Sequence, residues 1–252
     1  MKTKQPTVCA VMLVNGRPEM VERAVRSFGA QTYKNKHLIV LNTGQKVAKP
    51  EWFRDEPIIA DYWHYAEGGE NMTVGALRNV INETAWRNFV CDIICHFDSD
   101  DYSHPRRIEE QVALLQESGK KAVGYNEVLF WDSRPGQFCG AWMYSNPNKE
   151  YFVGASMMYW REAWEQCKFE EGRDTNGRSL PEDARWWNAN HKDCLGISSA
   201  ELLNDVDRET PRLICEIHGD NTSTSYRDAV RQPPSWKRAP EWEKHCRKVM
   251  AI

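Results

Sequence analysis

Two apolar runs that do not alternate, joined by one helical stretch, constrain this chain more than any other feature. Residues 7–14 (TVCAVMLV) and 37–41 (HLIVL) carry apolar or β-branched side chains at nearly every position, the pattern of strands covered on both faces. Between them Pro18 leads EMVERAVRSFGAQT, where Met20, Val21, Ala24, Val25 and Phe28 recur at helical spacing and Gly29 stands near the end. Proline in the first turn and glycine at the finish are helix start and stop signals. Strand, helix and strand in that order is the unit from which parallel, doubly wound sheets are built.

The same grammar continues along the chain. Residues 75–90 predict a helix through Ala76, Val80, Ala85 and Phe89, and residues 91–97 (CDIICHF) a strand that ends at DSDD. Residues 104–120 predict an amphipathic helix stopped at Gly119, and 121–131 (KAVGYNEVLFW) one strand. From 132 to 180 the chain is rich in Gly, Pro, Asn and aromatics, the texture of a loop-built binding surface. Residues 181–190 begin a short helix with Glu182 and Asp183 in its first turn, where carboxylates meet the positive end of the helix dipole. Residues 212–217 (RLICEI) predict a strand followed by HGDNTSTS. The α/β unit is expected over 1–230. From Arg231 onward, prolines and charged runs predict a tail over 231–252, either a peripheral helix or a partly ordered arm.

Composition narrows the class. At 252 residues with 41% hydrophobic side chains, the chain can bury one large core. A formal net charge of −3 gives no global positive field to draw it onto nucleic acid or anionic lipid. The apolar run near the N-terminus is interrupted by Asn15 and Gly16, too short for a leader or a bilayer span. The expectation is a cytoplasmic protein without a transmembrane segment. Its scattered cysteines, none at C-x-x-C spacing, then read as free thiols, with Cys91 and Cys95 buried in a strand.

Chemistry concentrates in three places. Asp98, Asp100 and Asp101 crowd at the end of an apolar strand, where like charges repel unless a cation joins them. Mg²⁺ or Mn²⁺ would take their oxygens and leave positions for phosphate; a solvated acidic turn or helix cap is the plain alternative. An EF-hand is disfavoured, because no Gly occupies the sixth position of a loop that starts at Asp98. His218, just past a strand, is a possible further ligand or phosphate contact. The Glu182–Asp183 pair either caps its helix or supplies a general base for an acceptor hydroxyl. Of the 11 tryptophans, most belong to the core, with one or two, Trp186 among them, offering a face to a sugar or base.

With those residues in view, the order from 7 to about 225 resembles the family 2 glycosyltransferases of the GT-A fold. The opening strand and Arg-Pro-led helix, the Gln-Thr-Tyr turn, and the small-residue turn before Arg78-Asn79 are similar to that family's segments. So are HFDSDDY, FVGASMMYW, LPEDARWW and IHGDNTS. The resemblance implies a Rossmann-like, doubly wound mixed sheet in a single domain, and a hexosyl transfer from a nucleotide-diphosphate sugar. It assigns Asp98, Ser99, Arg78, Val14, Asn15 and Asn42 to the nucleotide, and Asp100, Asp98 and His218 to a divalent metal. Asp183 becomes the base, with Glu182 beside it, and Gly154 and Ala155 let donor or acceptor sugar approach the backbone. Asn42 stands where the family usually has an acid reading the base, so uridine is only the default donor base. The acceptor stays open between a saccharide, a protein and a modified nucleic acid.

Two rivals remain at this level. A metal-dependent phosphohydrolase also places D-x-D at a strand end, but gives no role to the Glu-Asp and His-Gly segments. A non-catalytic nucleotide- or glycan-binding module would not need both carboxylate motifs.

Overall fold

A computed structural model describes residues 5–44, 62–197, 211–219, 221 and 235–251. The opening strand β1 (Val8–Val14) pairs in parallel with β2 (Lys36–Asn42) on one side and with β4 (Ile93–His96) on the other. Its lack of alternation has a direct cause. Val8, Ala10, Met12 and Val14 pack beneath helix α1 (Pro18–Gly29), against Val21, Ala24, Val25 and Phe28. Cys9 and Val11 point the opposite way, into a cluster with Leu77, Ile81 and Ala85 of helix α2 (Val74–Asn88). Both faces are covered, so both must be apolar, at about 1.5–3 kcal/mol for each large side chain buried.

The sheet containing β1 has the order β10-β6-β9-β4-β1-β2-β3, where β3 is Tyr62–Tyr65, β6 Ala122–Tyr125, β9 Met158–Trp160 and β10 Cys194–Ile197. Strand β9 runs antiparallel between β4 and β6, which makes the sheet mixed. The parallel strands β1, β2 and β4 end on one edge, and the connections diverge between β1 and β4. That is the topological switch point at which open α/β sheets bind ligands.

A second sheet corrects several sequence expectations. Residues 121–131, expected as one strand, divide at Asn126 into β6 and β7 (Glu127–Asp132), which belong to different sheets. Asn126 is buried; its N–H donates to Ile197 and its carbonyl accepts from Asn146, so the chain can bend there without orphaning its backbone. The stretch expected to be irregular contains β8 (Gly140–Ser145), which pairs with β7 over its whole length, β9, and helix α4 (Arg161–Gln166). Short strands carrying Trp, Met and Tyr on both faces gave no period to read. The sheet is completed by β5 (Tyr102–Ser103), β11 (Leu213–Ile217) and β12 (Trp236–Arg238), in the order β12-β8-β7-β11-β5.

The chain after 231 thus contributes an edge strand. It also contributes helix α6 (Glu243–Met250), whose Cys246 and Met250 bury against Leu129, Trp131, Ala141 and Ile214. All eight cysteines are free, and Cys91 and Cys95 lie buried as expected. Among the described residues no helix is long and apolar enough to cross a membrane.

Candidate active site

The loop after β4 carries the acidic cluster, and the three carboxylates separate instead of crowding one point. Asp98 accepts from Arg78 Nη2 at 2.8 Å. Burial opposes its ionisation, but the charge and hydrogen bond of Arg78, with Arg107 behind it, hold its carboxyl below the usual range. Asp101 turns inward, accepting from the Glu216 N–H of β11 at 3.1 Å. Burial, then the charges of Asp100 and Asp98, push its carboxyl well above the usual range. Asp100 remains at the edge, 17% exposed, with Oδ2 3.2 Å from Arg17 Nη1 and 2.9 Å from His218 Nε2. The expectation that one cation gathers all three is therefore corrected. Each carboxylate has its own positive or N–H partner.

His218 follows β11, and its own N–H donates to Asn221 Oδ1 at 2.6 Å, which turns the residue toward Asp100. Among the described residues no group of three or more His, Cys, Asp or Glu is arranged to hold a metal ion. Asp100 Oδ2 and His218 Nε2 nevertheless bring two donors to one point. A carboxylate oxygen and an imidazole nitrogen suit Mn²⁺ or Mg²⁺ in a site that leaves positions for phosphate and water. The donor chemistry fits a cation with two protein ligands. Asp98, expected as a third, faces Arg78.

The frame under this loop is built from buried arginines. Arg107, which opens helix α3 (Arg107–Ser118) and has no exposed surface, donates to Ser103 Oγ, His96 O and Ala155 O at 2.8–2.9 Å. Arg23 donates to the Asp100 carbonyl, to Glu216 and to the Met250 carbonyl, tying the acidic loop, β11 and α6 together. His96 sits between the Gly154 carbonyl at 3.1 Å and the Tyr159 hydroxyl at 3.3 Å. Burial, reinforced by Arg78, lowers its pKa far enough to keep it neutral.

The Glu182–Asp183 pair opens helix α5 (Glu182–Asn190). Neither side chain caps the helix in the usual way, but Asp183 Oδ1 accepts from the N–H of Ala184 at 2.7 Å. Burial, with the Asp183 charge beside it, raises Glu182 to about 7, and burial raises Asp183 as well. Gly154 is required opposite: a Cβ there would stand 2.1 Å from Asp183 Oδ2. One guanidinium links the two ends. Arg78 donates to Asp98, and its Nε lies 4.0 Å from Glu182 Oε1. Its Nε and Nη1 are buried without a hydrogen-bond partner.

The remaining sequence-predicted residues are distributed along the same edge. Val14 and Asn42 end the paired strands β1 and β2 in register, and Thr43 bonds back to the Val14 carbonyl at 2.7 Å. Asn42 Oδ1 accepts from the Gly44 N–H at 3.1 Å, and exposed Asn15 lies against Gly44. Ser99 is buried within the acidic loop. Ala155 offers its carbonyl to Arg107.

Trp186 is a correction. It is 1% exposed, packed on Tyr159 and Phe169, with Nε1 donating to the Cys167 carbonyl, so no face is left for a sugar. The helical register that aims Asp183 at Gly154 turns Trp186 into the core and leaves Trp187 half-buried beside Tyr151. Arg17 was missed as a site residue; its place directly before the helix-leading Pro18 was the only signal.

Comparison with known proteins agrees with this fold. S. aureus TarS 1–349 in complex with UDP superposes with a TM-score of 0.58 at 13% identity, over 84% of this chain and 61% of that one. TarS 1–349 in complex with UDP-GlcNAc gives 0.58 at 11% over 90% and 62%. The mannosyltransferase PcManGT from Pyrobaculum calidifontis, in complex with GDP-Man and Mn²⁺, gives 0.53 at 13% over 98% and 70%. The chain therefore spans about three fifths of the TarS chains it matches, and these likenesses speak for the fold. No curated protein matches the sequence. The sequence matches the family described as Glycosyl transferase family 2 over residues 9–176, more than half of its length, and the chain belongs to that family of glycosyltransferases.

Proposed function

We propose that the chain transfers a sugar from a nucleotide diphosphate to an acceptor hydroxyl with inversion, aided by a divalent cation. The observation that carries this reading is the span of Arg78, hydrogen-bonded to Asp98 at one end and 4.0 Å from Glu182 at the other. One rigid cation couples a region suited to phosphate and metal to a region suited to accepting a proton. Relatives of the same fold bind UDP, UDP-GlcNAc or GDP-Man, which supports a nucleotide sugar as donor.

Asp183 takes the acceptor hydroxyl proton, and the freed oxygen attacks the anomeric carbon from the face opposite the departing diphosphate. Its raised proton affinity suits that task. Gly154 leaves its side chain room to face substrate. Glu182 is the partner whose protonation keeps two adjacent carboxylates from both ionising. Asp98 and Arg78 hold the nucleotide side, with Asn15 and Asn42 at the strand ends beside it. Asp100 and His218 would hold the cation, which neutralises charge on the leaving diphosphate when bound. Trp187 lines the acceptor side.

The test is thermal stability of the full chain with nucleotide sugars of different bases, each with and without Mn²⁺, because a ligand that binds only the folded state raises its stability. Stabilisation by a uridine or guanosine diphosphate sugar only when Mn²⁺ is present is expected, followed by product of inverted anomeric configuration. Failure of every nucleotide sugar to stabilise, with or without metal, overturns the reading. Weak discrimination among uridine, guanosine and cytidine diphosphates is expected from Asn42, since an amide both donates and accepts.

A further inference from the structure

The contacts around His218 do not satisfy one another. Arg17 Nη1 lies 2.6 Å from His218 Nε2 and 3.2 Å from Asp100 Oδ2, while those two atoms are 2.9 Å apart. Asn221 Nδ2 reaches the same nitrogen at 3.3 Å, its orientation fixed because its oxygen accepts from the His218 N–H. If Nε2 carries a proton it can donate to Asp100, but Arg17 and Asn221 then point donors at a donor. If Nε2 is bare it accepts from Arg17, but its lone pair faces the carboxylate lone pair. Either way, at least one short contact is mismatched, a cost of polar crowding in this half-buried cluster. A single cation between Asp100 and His218 removes the mismatch, because both lone pairs then converge on it.

Arg17 reaches this point from an unusual backbone. Its φ of 55° is the only positive value at a non-glycine among the described residues, directly after Gly16 at 72°. A non-glycine residue in the left-handed region is held there by its surroundings. The loop is shaped to deliver a guanidinium to the Asp100–His218 pair.

We infer that Arg17 is a tethered cation that occupies the place of the divalent metal and must be displaced when the metal arrives with the nucleotide. The inference rests on the proposed metal reading. Its consequence is a coupling between ligands. Metal alone has to break the Arg17 contacts without recompense, whereas metal with diphosphate offers the released guanidinium a new anionic partner. The chain then takes up metal poorly until the donor is present, and nucleotide raises metal affinity by more than it would without Arg17.

The experiment is Mn²⁺ binding to the full chain, read by electron paramagnetic resonance of free Mn²⁺, with and without UDP or GDP. Arg17→Gly suits the left-handed backbone and removes the charge; Arg17→Gln removes the charge and keeps a shorter polar side chain. Without nucleotide, both are expected to bind Mn²⁺ about tenfold more tightly than the wild type, the weight of one charge-assisted hydrogen bond. The gain in Mn²⁺ affinity on adding nucleotide should shrink by a similar factor. The Asp100→Asn change placed on Arg17→Gly should abolish the tighter binding. Equal Mn²⁺ affinity in wild type and folded variants overturns the role of Arg17 while leaving the metal reading intact. Absence of Mn²⁺ binding in every form, even with nucleotide, overturns the metal reading itself.

Discussion

Carboxylates at the two ends of this site meet opposite environments. At the β4 end Asp98 receives a guanidinium N–H at 2.8 Å and Asp100 faces both Arg17 and His218. There positive groups outweigh burial, and Asp98 stays ionised below the usual range. At the α5 end Glu182 and Asp183 stand side by side, with the Arg78 Nε only as near as 4.0 Å. Burial outweighs that distant charge, and both carboxyls are raised. The same residue type becomes a fixed anion at Asp98 and a proton acceptor at Asp183. The cause is whether a guanidinium reaches hydrogen-bond distance, since the backbone N–H groups that reach Asp183 and Asp101 leave both raised.

The largest test of that contrast is Asp183→Asn. The amide is nearly isosteric but cannot take a proton, so transfer should fall roughly 10²–10⁴-fold while nucleotide affinity holds. Near-normal turnover would reduce Asp183 to a structural residue; lost nucleotide binding would move it to the other end. Gly154→Ala comes next. Its Cβ would meet Asp183 Oδ2 at 2.1 Å, forcing that carboxylate aside and lowering the transfer rate about 10²-fold at unchanged nucleotide affinity. A full-rate variant would show that the packing does not aim the base.

At the opposite end, Asp100→Ala should weaken nucleotide diphosphate binding by about 10–100-fold and remove its response to Mn²⁺, measured by calorimetry with and without chelator. Retained metal dependence would separate Asp100 from the cation. The smallest effect concerns stability. Glu182 has a folded pKa of about 7 against an ordinary value of 4.5, so the folded state holds the extra proton between those values. Its stabilising share is present below about pH 4.5 and lost as pH rises through about 7. Glu182→Gln, which cannot lose a proton, should melt about 5–10 °C higher relative to wild type at about pH 8 than at about pH 5. A constant difference across that range would remove Glu182 from the proton-holding end.

Sequence alone determined the parts of this protein that rest on local pattern. Strands β1, β2, β4 and β11 and helices α1, α2 and α5 were legible, because covering a strand on both faces leaves an unbroken apolar run and a helix leaves its own period. The placement of carboxylates at a strand end and a helix start was legible for the same reason. Tertiary structure alone decided how the chain divides after Asn126, where β8, β9 and β12 pair, and which carboxylates share a partner. Those outcomes depend on residues far apart in the chain, such as Arg17 with His218 or Arg78 with Glu182. It also decided that Trp186 is core and Trp187 is not, since adjacent positions on a helix point about 100° apart and only the neighbouring elements say which direction is inward.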